Sequence, residues 1–411
     1  MNRVHLSALV LIGILALALA AAFVAHTQSS NTIKPSVFVG VAFGGTTVDQ
    51  AELLIDRVKS YTNLFILNAG RNSLSVNQTA VTEICDYATS QGLSIIINLG
   101  VKTRETPDWQ PNFINNVKER YGEKFLGVYY DDEPMGIPFD WDWHGVFRNG
   151  SEAYQDPYLP ALAPLFQRLQ TASETGQQPD DYSVEAQWYH NLLMLNRGHN
   201  QLKANNITTY TSDYLLYWYD FLGSYDTVFA QIIGSNTTEN NKQISQIRGA
   251  ANLQNKTWGT IITWSHLQPA DLGTGEALHS QMVNAYNAGA KYVILFNYPY
   301  NQTGNPYGIL NDEHFSAMKQ FWDQTATKQE PTAAQPEAVL VLPKDYGWGI
   351  RNIDDRIWGI WPADEKAPII WSNTQKLLAQ YGLNLDIVYD DPAYPFQGKY
   401  SAVYIWNQSL P

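Results

Sequence analysis

The 411-residue chain has a single cysteine, Cys85. One cysteine excludes an intrachain disulfide framework and any cysteine-built metal site. Stability must therefore come from core size, which a chain of this length supplies. Cys85 falls in the apolar pattern 81–88 and reads as a core helix residue. Basic residues are also scarce: 26 Lys and Arg stand against 39 Asp and Glu, a net charge of −13. With no basic run, nucleic acid is excluded as a partner. No His-x-x-x-His or clustered His/Glu pattern occurs, so no metal is expected. No Gly-x-Ser-x-Gly elbow occurs, which argues against a serine esterase. Gly44-Gly45 lacks the spacing of a dinucleotide fingerprint, and no cofactor is expected.

What the chain does have is aromatic side chains: 13 Trp, 25 Tyr and 15 Phe. These suit either a large core or flat faces for stacking on sugar rings. The N-terminus carries Arg3 and then an uninterrupted run of apolar or small residues, 6–24. The run is longer than the roughly 7–15 residues of a signal-peptide core and close to the roughly 20 that span a bilayer. Residues 1–30 are therefore expected to be a signal peptide or membrane anchor with linker, and a membrane partner through 6–24 if uncleaved. Arg3 on the short side places the body outside the cytoplasm, membrane-anchored or secreted. Seven glycosylation sequons agree with export, at Asn77, Asn149, Asn206, Asn236, Asn255, Asn301 and Asn407. An exported acidic chain without paired cysteines suits a prokaryotic cell surface.

After a polar stretch at 25–35, eight short apolar runs alternate with amphipathic segments. The runs are 37–43, 64–67, 93–97, 125–130, 207–211, 227–232, 258–263 and 292–296, with helices expected at 48–60, 78–91 and 275–288 among others. Near-continuous apolar strands alternating with helices imply a parallel sheet covered on both faces. Eight units over 36–325 fit an α/β (β/α)8 TIM barrel; a doubly wound open sheet is the alternative. The stretch 134–206 is too long for a simple loop, and reads as an elaborated cleft wall with a helix near 184–195. Residues 326–336 form a polar linker. A small α/β unit follows over 337–411, with strands 338–342, 385–389 and 401–406 and a helix 369–381. The chain stops right after the last of these strands, so the unit reads as incomplete.

The fourth run ends in Gly127-Val-Tyr-Tyr-Asp-Asp-Glu-Pro134. Carboxylates rarely end an apolar strand without cause, because burying an unpaired charge is costly. Alternation along a strand places Gly127, Tyr129, Asp131 and Glu133 on one face. Two neighbouring carboxylates do not both ionise cheaply, so one tends to hold a proton, as a general acid must. Asp132 belongs to the same cluster; a strand-end capping or ion-pair role is the competing account of all three. Asp213, after the fifth run, is the first candidate for a water-activating base, followed by Asp271 and Asp220. Asp213 also reads as a cap for the helical run 214–222. Trp141, Trp143, Trp264, His266, Asn297 and Tyr298 sit at strand ends or loops as candidate sugar contacts, with His144 and Tyr300 beside them.

With a Glu at the end of its fourth strand, the barrel resembles the (β/α)8 glycoside hydrolase superfamily over residues 36–325. In its largest clan an Asn-Glu-Pro or similar triplet ends that strand, and Asp132-Glu133-Pro134 matches with Asp for Asn. The resemblance implies a carbohydrate substrate or ligand and Glu133 as acid/base. That clan also places a nucleophilic Glu at the seventh strand end, where this chain reads Thr263-Trp264-Ser265-His266. The segment resembles in part the chitinase-like motif Asp-Gly-x-Asp-x-Asp-x-Glu, with Gly127, Asp131 and Glu133 aligned and Leu126 and Tyr129 at its earlier Asp positions. There the substrate's acetamido group attacks, and no seventh-strand Glu is needed. The Trp-rich C-terminal unit resembles the flavodoxin-like accessory domain of some β-galactosidases. The expectation is an extracytoplasmic glycosidase-like protein acting on an envelope or extracellular glycan. The alternative is a non-catalytic glycan-binding or structural protein on a degenerate barrel.

Overall fold

The computed structural model describes residues 35–70, 72–100, 109–140, 142, 159–178, 181–193, 199–233, 236–264, 272–298, 304–325 and 335–410. The apolar run 6–24 lies outside them, as does the linker stretch 326–334. Among the described residues no helix is long and apolar enough to cross a membrane.

Eight parallel strands close into a barrel in chain order: β1 Phe38–Phe43, β2 Leu64–Asn68, β3 Ser94–Asn98, β4 Phe125–Tyr129, β5 Thr209–Asp213, β6 Thr227–Ile233, β7 Thr257–Thr263 and β8 Tyr292–Asn297. Pairing of β8 with β1 closes the ring, so the open-sheet alternative falls. Every expected strand is present, with ends displaced by at most two residues. The near-continuous apolar runs follow from burial on both faces. Outward residues such as Val41, Leu67 and Ile97 lie in the core under the helices, while Leu64, Ile96, Tyr210, Phe229 and Tyr292 fill the barrel. Period two carries the inward face on to polar residues at the C-terminal mouth: Asn68, Ser212, Gln231 and Thr263.

The helices begin where short polar side chains cap free amides. Thr47 accepts Gln50 N at the start of helix Val48–Val58, Asn77 accepts Ala80 N before Gln78–Ser90, and Thr274 accepts Ala277 N before Gly275–Asn287. Among the described residues the stretch 134–206 holds four helices, Ile137–Asp140, Leu159–Thr175, Tyr182–Leu193 and His199–Ala204, where one was expected. Pro157, Pro160 and Pro164 read as turn signals in sequence, yet Pro164 lies inside a helix.

The C-terminal unit has a three-stranded parallel sheet of β9 Ala338–Leu342, β12 Leu385–Tyr389 and β13 Ala402–Ile405, in the order β12-β9-β13. A two-residue ladder, β10 Arg356–Ile357 with β11 Trp361–Pro362, and helix Lys366–Tyr381 complete it. It packs with the barrel into one compact unit. The contact is made by barrel helix Thr237–Gln254, whose Lys242, Gln243 and Arg248 are all buried. Arg248 pairs with Asp386 of β12 at 2.8 Å, and Lys242 Nζ donates to the Ile350 carbonyl at 2.9 Å. Gly249 is where helix and strand meet: an added Cβ would lie 2.9 Å from the Ile387 carbonyl oxygen. Gly249→Val is expected to cost about 1–3 kcal/mol by overpacking. Denaturant titration measures it, and an unchanged midpoint would contradict this close approach.

Candidate active site

The end of β4 departs from the expected alternation. The strand stops at Tyr129, and Asp131 (φ 66°) and Glu133 (φ 54°) both take the left-handed conformation. That region is sparsely populated by residues with a Cβ, and such strain clusters at functional sites. The break means that Asp131 and Glu133 do not continue the Gly127–Tyr129 face. Asp132 instead turns over the barrel mouth, where its Oδ1 accepts the Tyr129 hydroxyl at 2.7 Å. Ser212 Oγ lies 2.6 Å from that hydroxyl and donates to Asp132 at 3.2 Å, while Gln231 Nε2 donates to Ser212 Oγ at 3.1 Å. Burial, then the charge of Asp132, pushes the Tyr129 phenol well above its usual range, so it stays a donor. Asp131 is buried and turned back on the chain, its Oδ1 accepting Asp132 N at 2.8 Å.

Glu133 is fixed through its backbone: its N–H donates to the Ser212 carbonyl at 2.8 Å, and its own carbonyl accepts Ile137 N at 3.2 Å. Its residue lines two cavities. One, about 210 Å³, is the barrel mouth, walled by Tyr129, Asp132, Ser212, Gln231, Thr263 and Trp264 among others. The other, about 400 Å³, opens between the barrel and Ile350–Arg351 of the C-terminal unit.

The loop carrying Glu133 is clamped by Asp213. Oδ2 of Asp213 accepts Met135 N and Gly136 N, both at 2.9 Å; Oδ1 accepts Tyr214 N at 2.7 Å and Leu215 N at 3.4 Å. Burial, then the neighbouring charge of Glu133, pushes the Asp213 carboxyl well up, against the pull of the backbone amides. With four N–H donors on two oxygens and no exposure, Asp213 has no lone pair left for a water. Its geometry is that of a positioning residue rather than a base. Nor does it cap the expected helix, since Leu216 (φ 60°) precedes Tyr217–Leu222. Asp220 is sealed in the core, with neither oxygen hydrogen-bonded among the described residues.

Trp264 reaches the mouth and is stacked on Tyr298, ring centroids 4.3 Å apart, so Tyr298 backs it. Asn297 is an outward position of β8: its inward neighbour Phe296 lines the mouth, while Asn297 is buried beside Gly308. It is not brought to the mouth. Trp141, Trp143, His144, His266, Asp271 and Tyr300 lie outside the described residues. At the end of β7, where the family resemblance would place a carboxylate, the mouth is lined by Thr263. Among the described residues no group of three or more His, Cys, Asp or Glu could hold a metal ion. The residues that sequence reasoning passed over are Tyr129, Ser212, Gln231 and Asn68. Counting by two from the buried aromatics Tyr210 and Phe229 would have reached Ser212 and Gln231.

The sequon residues Asn77, Asn206, Asn236, Asn255 and Asn407 are all exposed. Asn77 and Asn236 cap helices through Oδ1, which leaves the amide nitrogen, the atom a glycan takes, outside the cap bond. Asn149 and Asn301 lie outside the described residues.

No protein-family model matches the sequence, and no curated protein matches it. Solved structures do share the fold. A β-galactosidase from the Antarctic haloarchaeon Halorubrum lacusprofundi superimposes with a TM-score of 0.56 at 12% identity, over 90% of this chain and 69% of that one. A β-galactosidase from the psychrophile Marinomonas ef1 gives 0.49 at 12% identity, over 90% and 72%. The catalytic domain of a β-amylase from Paenibacillus polymyxa gives 0.39 at 9% identity, over 72% and 99%. The haloarchaeal β-galactosidase thus shares this fold, and at 12% identity the likeness concerns fold alone.

Proposed function

We propose that this chain is an extracytoplasmic glycoside hydrolase-like protein, with Glu133 as the general acid of a cell-envelope or extracellular glycan cleavage. The observation that carries the reading is the position of Glu133. It stands at the C-terminal mouth of β4, on a left-handed residue, lining both cavities, on a loop clamped by Asp213. Catalytic residues of this barrel class come from strand ends at that face. In this reading Glu133 gives its proton to the leaving oxygen, while Asp132, tied to Tyr129, stands beside it on the same loop. With Thr263 at the end of β7, an enzyme nucleophile in the usual place is missing, and attack by water or by a substrate acetamido group remains. The apolar run 6–24 and the exposed sequons support export. The strand order β12-β9-β13 is that of the first three strands of a flavodoxin-like sheet, which supports reading 337–411 as the accessory unit.

The test is release of reducing sugar from a panel of polysaccharides by wild type and Glu133→Gln, with circular dichroism as the folding control. Turnover by wild type that Glu133→Gln lacks supports the reading; equal turnover by both removes Glu133 from the mechanism. Thr263 favours one second reading, a glycan-binding protein on a barrel that has lost its second carboxylate. That reading requires wild type and Glu133→Gln to bind the same glycan alike, with no turnover by either.

A further inference from the structure

We infer that the cleft between the barrel and the C-terminal unit is a second saccharide subsite, joined to the barrel mouth at Glu133. This inference rests on the glycosidase reading and adds to it the length and charge of the ligand. Glu133 and Gln231 line both cavities, so a chain occupying both passes over these two residues. One sugar unit would sit in the mouth and the next in the cleft, with the bond between them at the proton donor.

The cleft's chemistry selects the kind of chain. Its lining includes the carboxylates Glu133, Asp140 and Glu239 and the cations Lys242 and Arg351. Arg351 is already paired with Asp140 at 2.5 Å and Asp355 at 2.9 Å, and Lys242 with Glu239 at 2.8 Å. Neither cation is therefore offered to an anionic ligand, and a uronate or sulfate would meet the carboxylates of Asp140 and Glu239 as well. What remains is a dense set of donors and acceptors matched to hydroxyl groups, with Gln243 and the Tyr214 ring beside them. The occupant is a neutral oligosaccharide.

The wall is held rigidly. Arg351 donates to the Phe139 carbonyl at 2.9 Å and to the Tyr214 hydroxyl at 3.0 Å, and Tyr214 donates to the Gly136 carbonyl at 3.2 Å. The C-terminal unit thus grips the loop that begins at Glu133, which makes it part of the binding surface.

Calorimetry on the full chain carrying Glu133→Gln tests this, with neutral gluco-, galacto-, manno- and N-acetylglucosamine oligomers of one to six units as probes. A series with two or more units is expected to bind at least tenfold tighter than its monosaccharide. Ile233→Trp, which fills the cleft from the end of β6, should cut that advantage to within twofold. Glu239→Trp fills it from the first turn of helix Thr237–Gln254 and replaces Ile233→Trp if that variant does not fold. Absence of any length dependence, or its survival in a folded Trp variant, overturns the subsite. Glu133-dependent turnover of aryl monosaccharides without length dependence would leave the hydrolase reading standing and the subsite fallen. Length-dependent binding without turnover by wild type would do the reverse.

Discussion

Arg248→Ala is expected to destabilise the protein by about 3–5 kcal/mol, the cost of removing one partner of a buried ion pair. Arg248 and Asp386 have side chains only 4% and 0% exposed, and they meet at 2.8 Å. The same guanidinium donates to the Leu383 and Leu385 carbonyls at 2.7 and 2.9 Å, so three acceptors lose a donor at once. Asp386 would keep Tyr400, whose hydroxyl donates at 2.9 Å. Burial already raises the Asp386 carboxyl and Arg248 draws it back, so without the arginine it rises further and takes up a proton. Urea unfolding measures the loss. The companion double variant Arg248→Met/Asp386→Leu replaces the pair with apolar side chains of similar size and should recover much of it. A single-variant loss below about 1 kcal/mol would show that the pair is wet rather than buried.

Asp213→Asn is expected to be as damaging as it looks conservative. Each Asp213 oxygen receives two backbone N–H groups, Met135 and Gly136 on one side, Tyr214 and Leu215 on the other. An amide keeps one accepting oxygen and turns its NH2 group on the other pair, so two buried N–H groups lose their acceptor. At about 1–3 kcal/mol for each unsatisfied buried group, the total is about 2–6 kcal/mol. The site suffers more than the fold, because Met135 and Gly136 belong to the loop that holds Glu133. Gly136 leaves little slack, as an added Cβ there would lie 2.5 Å from the Tyr214 ring. The expected result is a lowered melting temperature together with loss of the Glu133-dependent signal, whether turnover or binding. Retention of both would mean that the clamp can be built with one carbonyl oxygen.

The barrel was legible because most strands are apolar on both faces and most end at a polar residue, as in Leu64–Asn68 and Ser94–Asn98. The place of Glu133 just past the end of β4 was legible for the same reason. The direction of its neighbours was not. Left-handed residues are usually glycine or asparagine, and nothing in Asp131 or Glu133 announces a positive φ, so counting by two chose Asp131 over Asp132. Asp213 was found as an acidic residue near the site, but its role depends on amides 77 and 78 positions away in the chain. The sequence pattern of helix Thr237–Gln254 is blurred for another reason. It is buried by the barrel on one side and by β12 on the other, so its hidden face includes Lys242, Gln243 and Arg248 and no clean apolar stripe forms.

That helix also fixes an order of events during synthesis. Its inner face can settle once β6 and β7 exist, but its outer face waits for β12, more than a hundred residues later. Until residues 385–389 emerge from the ribosome, Arg248 has no counter-ion and Gly249 leaves a bare groove on a nearly complete barrel. The nascent protein therefore passes through a stage with this seam exposed, the kind of surface that chaperones hold and that aggregation exploits.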